Sequence, residues 1–316
     1  MTTTAAPSLG KRLRLTWAPG GGSDRARADR RLGYLLVAPA VLSLLAVTGY
    51  PLVYNLWNSF HHENLTNAAQ AHSFSGLSNY SKLFSSSSDF LGSLTRTVGF
   101  MVVSVAFETV VAIGLALVLH KAFRGRGLVR AAVLIPWAVP TVVSALLWKT
   151  MFDQRNGFVD YLLGIFHLPG AHTTWLAGEW TSWAAILVAD AWKNVPFMAI
   201  ILLAGLQVIP EDIYEAARID GASAWQSFRR LTLPLLKPAL VVALVFRAIQ
   251  AFLIFDVIFI MTGGGPGNTT ETLSYLNYHA FLVDTDFGFG GAISISLVVL
   301  SLVIAGILTR LVRPST

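Results

Sequence analysis

The chain contains no cysteine, which excludes a disulfide framework and any thiolate metal site and leaves its redox compartment unreadable. Charge is scarce as well. Only 13% of its 316 residues are Asp, Glu, Lys or Arg, against 54% hydrophobic, whereas a soluble protein of this length separates its cores from water with charged surface. The chain also lacks the GxxxxGK[ST] phosphate loop, so it is no ATPase by that route. Gly263-Gly264-Gly265 has no accompanying Lys and is not read as a nucleotide loop. There is no HExxH, no nucleophile elbow and no carboxylate pair suited to acid–base work. No catalytic residue, no metal ligand and no cofactor of its own is expected. Neither a tandem repeat nor a soluble domain is visible.

What the chain has instead is apolar runs of a length that crosses a bilayer core. Six can be marked: Leu32–Leu56, Val98–Leu119, Ala131–Trp148, Trp183–Leu206, Ala239–Met261 and Gly290–Leu308. The expectation is an all-α membrane protein with six transmembrane helices. Residues 1–31 read as a basic, disordered tail containing Gly20-Gly21-Gly22, residues 32–312 as the membrane domain, and 313–316 as a short end. The first run is too long for a signal-peptide core and no cleavage site follows it, so an uncleaved signal anchor is expected.

The basic residues alternate by loop. Lys11, Arg12, Arg14, Arg25, Arg27, Arg30 and Arg31 precede the first run. Lys121, Arg124, Arg126 and Arg130 follow the second, Arg218, Arg229, Arg230 and Lys237 follow the fourth, and Arg310 and Arg313 follow the sixth. The other loops carry only Lys82, Arg96, Lys149 and Arg155, and Thr262–Phe287 has no Lys or Arg at all. The positive-inside rule then puts both termini and the loop around Glu215 in the cytoplasm. Topology accounts for the basic excess, so no nucleic-acid partner is expected. On the outer side, His61–Phe90 is a Ser/Asn/Gly-rich excursion, and Met151–His167 has the spacing of a short amphipathic surface helix.

Glu215–Pro238 is polar and rich in small residues although it lies between two apolar runs. Pro210, Glu211 and Asp212 suit the first turn of a helix. Asp220-Gly221 marks a break, and Pro234 and Pro238 are expected to end the segment before the next span. Ala216, Ala217, Gly221, Ala222 and Ala224 would present a low surface that another protein can approach closely. A helix lying in lipid headgroups would instead need a continuous bulky apolar face.

Polar residues inside a bilayer usually face a cavity or a partner helix. Asp190, Lys193, Asn194 and Phe197 fall at i, i+3, i+4 and i+7 on one face of the fourth run. An Asp190–Lys193 pair would neutralise itself, while Asn194 offers donors and an acceptor and Phe197 an aromatic wall. That mixture suits a polyol. Arg247 and Gln250 share a face of the fifth run. Packing against a neighbouring subunit is the alternative for Asp190, Lys193 and Arg247. Asp256 is placed to cap the Thr262–Gly265 turn or to meet solute. Glu108 has no partner evident in sequence and is assigned a contact with a neighbouring subunit. Pro136 and Pro140 suggest a kink in the third run.

Glu215-Ala216-Ala217, Gly221, Leu231, Leu233 and Pro234 resemble the EAA loop of ABC importer permeases, with Leu231 where Ile is usual. Residues 192–197 (Trp-Lys-Asn-Val-Pro-Phe), 204–210 (Ala-Gly-Leu-Gln-Val-Ile-Pro), Phe255-Asp256, 262–266 and 270–272 extend the likeness. From about Leu32 to Val312 the chain resembles the MalF-like permeases of the carbohydrate-uptake group. The resemblance implies a binding-protein-dependent inner-membrane subunit of bacteria, paired with a second, MalG-like permease subunit. Two ATPase subunits, holding ATP and Mg2+, would grip the loop 207–238 through Glu215, Ala216, Ala217, Asp220, Gly221 and Ala222. An extracytoplasmic solute-binding protein would deliver sugar, and Asp190, Lys193, Asn194, Phe197, Arg247 and Gln250 would line its path by alternating access. Two other classes remain open. One is a gradient-driven secondary transporter with ion sites at Asp190, Glu108 and Asp256. The other is a membrane scaffold that recruits a soluble partner.

Overall fold

The computed structural model describes residues 24–65, 73–85, 88–170 and 173–311. The tail before Asp24, Ser86 and Ser87 of the serine run, and the last five residues lie outside the described residues. The chain divides into two compact units, Met1–Val53 and Tyr54–Thr316. In the first unit the helix Asp24–Leu44 is already formed within residues assigned by sequence to the tail, and a wide π-turn follows at Leu45–Gly49.

The fold is all-α, with a single short antiparallel pair, His61–His62 against Ser73–Phe74, among the described residues. Among the described residues, five helices are long and apolar enough to cross a membrane: Arg30–Ser59, Phe90–His120, Glu179–Gln207, Ala224–Phe252 and Phe287–Arg310. They are called here the first, second, fourth, fifth and sixth spans. The expected third span is the pair Arg126–Ala138 and Thr141–Met151, bent by 89°. The proline kink is thus a full break. Pro140 has no N–H to continue the ladder, and the chain turns at Val139.

The fifth span departs from expectation at both ends. Pro234 and Pro238 do not end the polar segment that begins at Glu215, because the helix runs through them from Ala224. The π-turn Phe228–Thr232 lets the chain pass Pro234 without the i→i−4 bond that a proline cannot donate. At the other end the helix stops at Phe252, crosses Leu253–Phe255 and resumes as Asp256–Met261. The apolar run to Met261 hides this step because both pieces are equally apolar.

The second, fourth and fifth spans pack on one another as the centre of the second unit. The second span turns a row of small and polar residues inward: Ser93, Thr97, Ser104, Glu108, Ala112 and Ala116 are all buried. This row admits the fourth span closely. Gly205 does the same between the fourth and fifth spans, where an added Cβ would overlap Ala239 and lie 2.9 Å from Leu236 Cδ1. One apolar cluster gathers Ala112, Leu202, Leu206 and Leu236 towards the Gly221 end. Another gathers Phe100, Ala185, Ile186 and Ile258 towards the opposite end. The short surface helix expected in Met151–His167 is Phe158–Ile165.

Candidate functional site

Between the two clusters lies a layer of charge. Glu108 of the second span, Asp190 of the fourth and Arg247 of the fifth are 0%, 5% and 2% exposed. The Arg247 guanidinium donates to both oxygens of Glu108, through Nε and through Nη2 at 2.9 Å. The same Nη2 donates to Asp190 Oδ2. A planar donor fork matches this arrangement, because it pairs with one carboxylate bidentately and still reaches a second. Two expectations are corrected here. Glu108 meets Arg247 of its own chain rather than a neighbouring subunit, and Asp190 pairs with Arg247 rather than with Lys193. The i, i+3 spacing put Asp190 beside Lys193 on the helix, but Arg247 of the facing helix comes nearer.

Lys193 turns instead to the broken third span. Its Nζ donates to Trp137 O at 3.2 Å and to Val139 O. These carbonyls stand where Pro140 interrupts the helix, and an ammonium satisfies the acceptors that the break leaves over. Phe197 stacks on Trp137 with ring centres 4.9 Å apart and planes 9° apart, and meets Phe246 at 5.2 Å. Gln250 lies one turn beyond Phe246 and is exposed, whereas Arg247 points inward. Arg247 and Gln250 therefore do not share a site. The residues brought together on one accessible face are Lys193, Asn194, Phe197, Trp137, Phe246 and Gln250. Sequence reading missed Trp137 and Phe246. Phe246 was findable, four residues before Gln250 on the same helical face. Trp137 joins the face only through the break.

Asn194 links the two zones. Its Nδ2 donates to the backbone carbonyl of Asp190 at 3.0 Å and to Asp190 Oδ1 at 2.8 Å. It therefore does not present both donors and an acceptor outward as the sequence suggested.

At the far end of the fifth span, Asp256 is exposed in the first turn of its short helix. It does not cap the Thr262–Gly265 turn. Thr270 closes that turn, donating its hydroxyl to Gly265 O at 2.7 Å and meeting Thr262 Oγ1 at 2.8 Å. Beside it Glu271 is 7% exposed, and burial, with the charge of Asp89 adding to it, raises its carboxyl above the usual range.

Between the fourth and fifth spans lies a helix, Glu211–Ile219, with Pro210 at its N-cap rather than inside its first turn. It ends in a Schellman cap: Ala222 N donates to Ala217 O at 2.9 Å and Gly221 N to Arg218 O at 3.1 Å. Gly221 has φ +75°, which explains the glycine without any neighbour, since an added Cβ would meet nothing within 4 Å. Ser223 and Gln226 then form a capping box that starts the fifth span. Glu215, Ala216, Asp220 and Gly221 are exposed and Ala222 is half-buried. Ala217 is corrected: it faces inward at 9% exposure, because the inner side of the helix also carries Ile213 and Tyr214 into the apolar cluster. The outward side carries two large apolar groups that small-residue reasoning passed over, Ile219 at 86% and Trp225 at 66% exposure. A groove of ≈ 380 Å³ lies between Asp220, Gly221, Gln226 and Arg230. Tyr214 OH lies 3.2 Å from Thr232 Oγ1, tying the helix to the start of the fifth span.

Residues 108–316 match the family described as the inner membrane component of binding-protein-dependent transport systems. The chain is 43% identical over 274 residues to the trehalose/maltose transport system permease protein MalF of Thermococcus litoralis, covering 87% of this chain and 91% of that protein. It is 40% identical over 284 residues to the trehalose transport system permease protein SugA of Mycobacterium tuberculosis, covering 90% and 89%. In fold it is similar to a chain of the bacterial alginate ABC transporter in complex with an alginate pentasaccharide-bound periplasmic protein. That likeness has a TM-score of 0.76 at 24% identity, over 92% of this chain and 96% of the other. The chain belongs to the family of multi-pass inner-membrane components of binding-protein-dependent transport systems.

Proposed function

We propose that this chain is the MalF-like membrane subunit of an ATP-driven importer of a neutral sugar, moving solute inward by alternating access. Its partners are a second, MalG-like permease subunit, two ATPase subunits that hold ATP and Mg2+, and an extracytoplasmic solute-binding protein. Both termini and the docking segment face the cytoplasm of a bacterial cell. The chain supplies no catalytic group of its own.

The observation that carries this reading is the rigid connection of the docking helix to the helices that bear the polar face. Glu211–Ile219 is seated through Ile213 and Tyr214 on the cluster that includes Leu206 and Leu236, and Tyr214 is tied to Thr232. A displacement of the docking helix would therefore move the fourth and fifth spans, which carry Lys193, Asn194, Phe197 and Gln250. The exposed Glu215, Ile219 and Trp225 offer an ATPase a charged and apolar edge, and the open space at Gly221 lets it approach the backbone. The sugar assignment is supported by the two relatives named for trehalose or maltose. It is also supported by the aromatic and hydrogen-bonding face, because rings stack on sugar C–H faces and Asn, Gln and Lys meet hydroxyls.

The gradient-driven alternative loses two of its three ion sites, since Arg247 pairs with both oxygens of Glu108 and with Oδ2 of Asp190, and keeps only the exposed Asp256. The assignment is tested with a photoreactive residue at Ile219 and uptake by Asn194→Leu and Phe197→Ala in the assembled complex. The reading expects cross-links to the ATPase and several-fold weaker uptake with assembly retained. Cross-links to lipid alone, with full uptake by both variants, would refute it.

A further inference from the structure

The orientation of the Asn194 amide follows from its partners. A backbone carbonyl can only accept, so the atom of Asn194 facing Asp190 O at 3.0 Å must be the nitrogen. The same nitrogen donates to Asp190 Oδ1 at 2.8 Å, so both of its hydrogens are directed at Asp190. The atom left over is the carbonyl Oδ1, which has only acceptor capacity. Asp190 is itself held, because Arg247 Nη2 donates to its other oxygen. Arg247 cannot swing, because Glu108 takes its Nε and Nη2 bidentately. The chain of restraint runs from the second span through the fifth to the fourth.

We propose that Glu108, Arg247 and Asp190 are positioning residues that lock Asn194 as an acceptor-only contact, which takes a hydroxyl hydrogen from a polyhydroxylated solute. This rests on the reading that the Lys193–Phe197 face lines the path. It also changes the roles expected of Asp190 and Arg247. Both lie a layer behind the accessible face and act on solute through Asn194. Glu108 joins them, although nothing in its own sequence surroundings suggests a part in recognition. Position 194 then distinguishes a hydroxyl from a group of similar size that cannot donate, such as fluorine, and disfavours an anionic oxygen there.

The test uses the full complex with its ATPases and binding protein in proteoliposomes. The probes are the disaccharide taken up, trehalose or maltose, and its monodeoxyfluoro analogues, each first shown to occupy the binding protein. The wild type should transport one analogue about fivefold less efficiently than the parent sugar, the fold-change that corresponds to about 1 kcal/mol for one hydrogen bond. Glu108→Gln should bring that ratio closer to one, because a neutral amide holds Arg247 poorly and so loosens Asp190, whose carboxylate takes one of the two Asn194 amide hydrogens. Asp190→Asn, which keeps the Arg247–Glu108 pair, should erase the ratio in the same way and serves if Glu108→Gln fails to assemble. Equal loss for sugar and analogue in these variants, or no fluorine-sensitive position in the wild type, would overturn the proposal. Normal transport of every sugar by Asn194→Leu would instead remove the site itself.

Discussion

Arg247→Met places the largest demand on the charge layer. Methionine fills much of the same volume but leaves Glu108 and Asp190, 0% and 5% exposed, facing each other without a cation. Three donated hydrogen bonds disappear together. Breaking a buried charge cluster by removing one partner costs about 3–5 kcal/mol, because the remaining charges stay desolvated. For a unit of this size each kcal/mol moves the melting temperature by about 2–4 °C, so a fall on the order of 10 °C is expected. Asp190→Asn should cost less, since it keeps the bidentate Arg247–Glu108 pair. Replacing all three residues at once, as Glu108→Gln, Asp190→Asn and Arg247→Met, should recover most of the loss, because no unpaired charge is left in the layer. The assay is thermal unfolding of the detergent-solubilised complex together with its yield in membranes. An Arg247→Met complex that melts within 2 °C of the wild type would refute the account of the layer, and so would a triple variant less stable than Arg247→Met.

Other consequences follow from single contacts. Gly205→Leu would overlap Ala239 and Leu236 and should cost about 1–3 kcal/mol as an overpacked interface, seen as a lower yield of assembled complex. Gly221→Val forces a β-branched residue to φ +75° at about 1–2 kcal/mol and fills the open approach to the cap. ATP hydrolysis should then continue with uptake reduced, measured as sugar moved per ATP consumed. Cysteines placed at Arg155 and Arg229, both exposed, in a chain with no other cysteine, should label with an impermeant thiol reagent from outside and only after permeabilisation, respectively. Glu271 has a folded pKa above its unfolded value, so the folded state binds its proton more tightly. Stability should fall as pH rises from the ordinary carboxyl range through the raised value. Glu271→Gln should raise the melting temperature at pH 7 and flatten that slope.

Most of the helical architecture was legible because apolar runs of bilayer length have few other uses. The docking segment was legible for a second reason: its punctuation is local. Pro210 and Asp220-Gly221 act within one turn of themselves, so the start and the break of the helix can be read from neighbours in sequence. Long-range pairings were not legible in the same way. Asp190 and Lys193 share a helical face, but their partners come from the fifth span and from the broken third span. Sequence spacing cannot say which facing helix comes nearest. Glu108 could have been placed inside the bundle, because Ser104, Glu108, Ala112 and Ala116 form an i, i+4 row of small and polar residues. Its pairing with Arg247 could not have been found this way. The step at Leu253–Phe255 left no mark in hydropathy. Ala217 was misplaced for a simpler reason: small size suits a surface that is approached closely and a packed interior equally well.

Sugar uptake in proteoliposomes containing this chain, the second permease subunit, the ATPase subunits and the binding protein separates an ATP-driven importer from a gradient-driven one. The account predicts accumulation that requires ATP and every partner and is abolished by a docking-segment substitution such as Glu215→Lys. Uptake by this chain alone, driven by a proton or sodium gradient and indifferent to ATP, would contradict it.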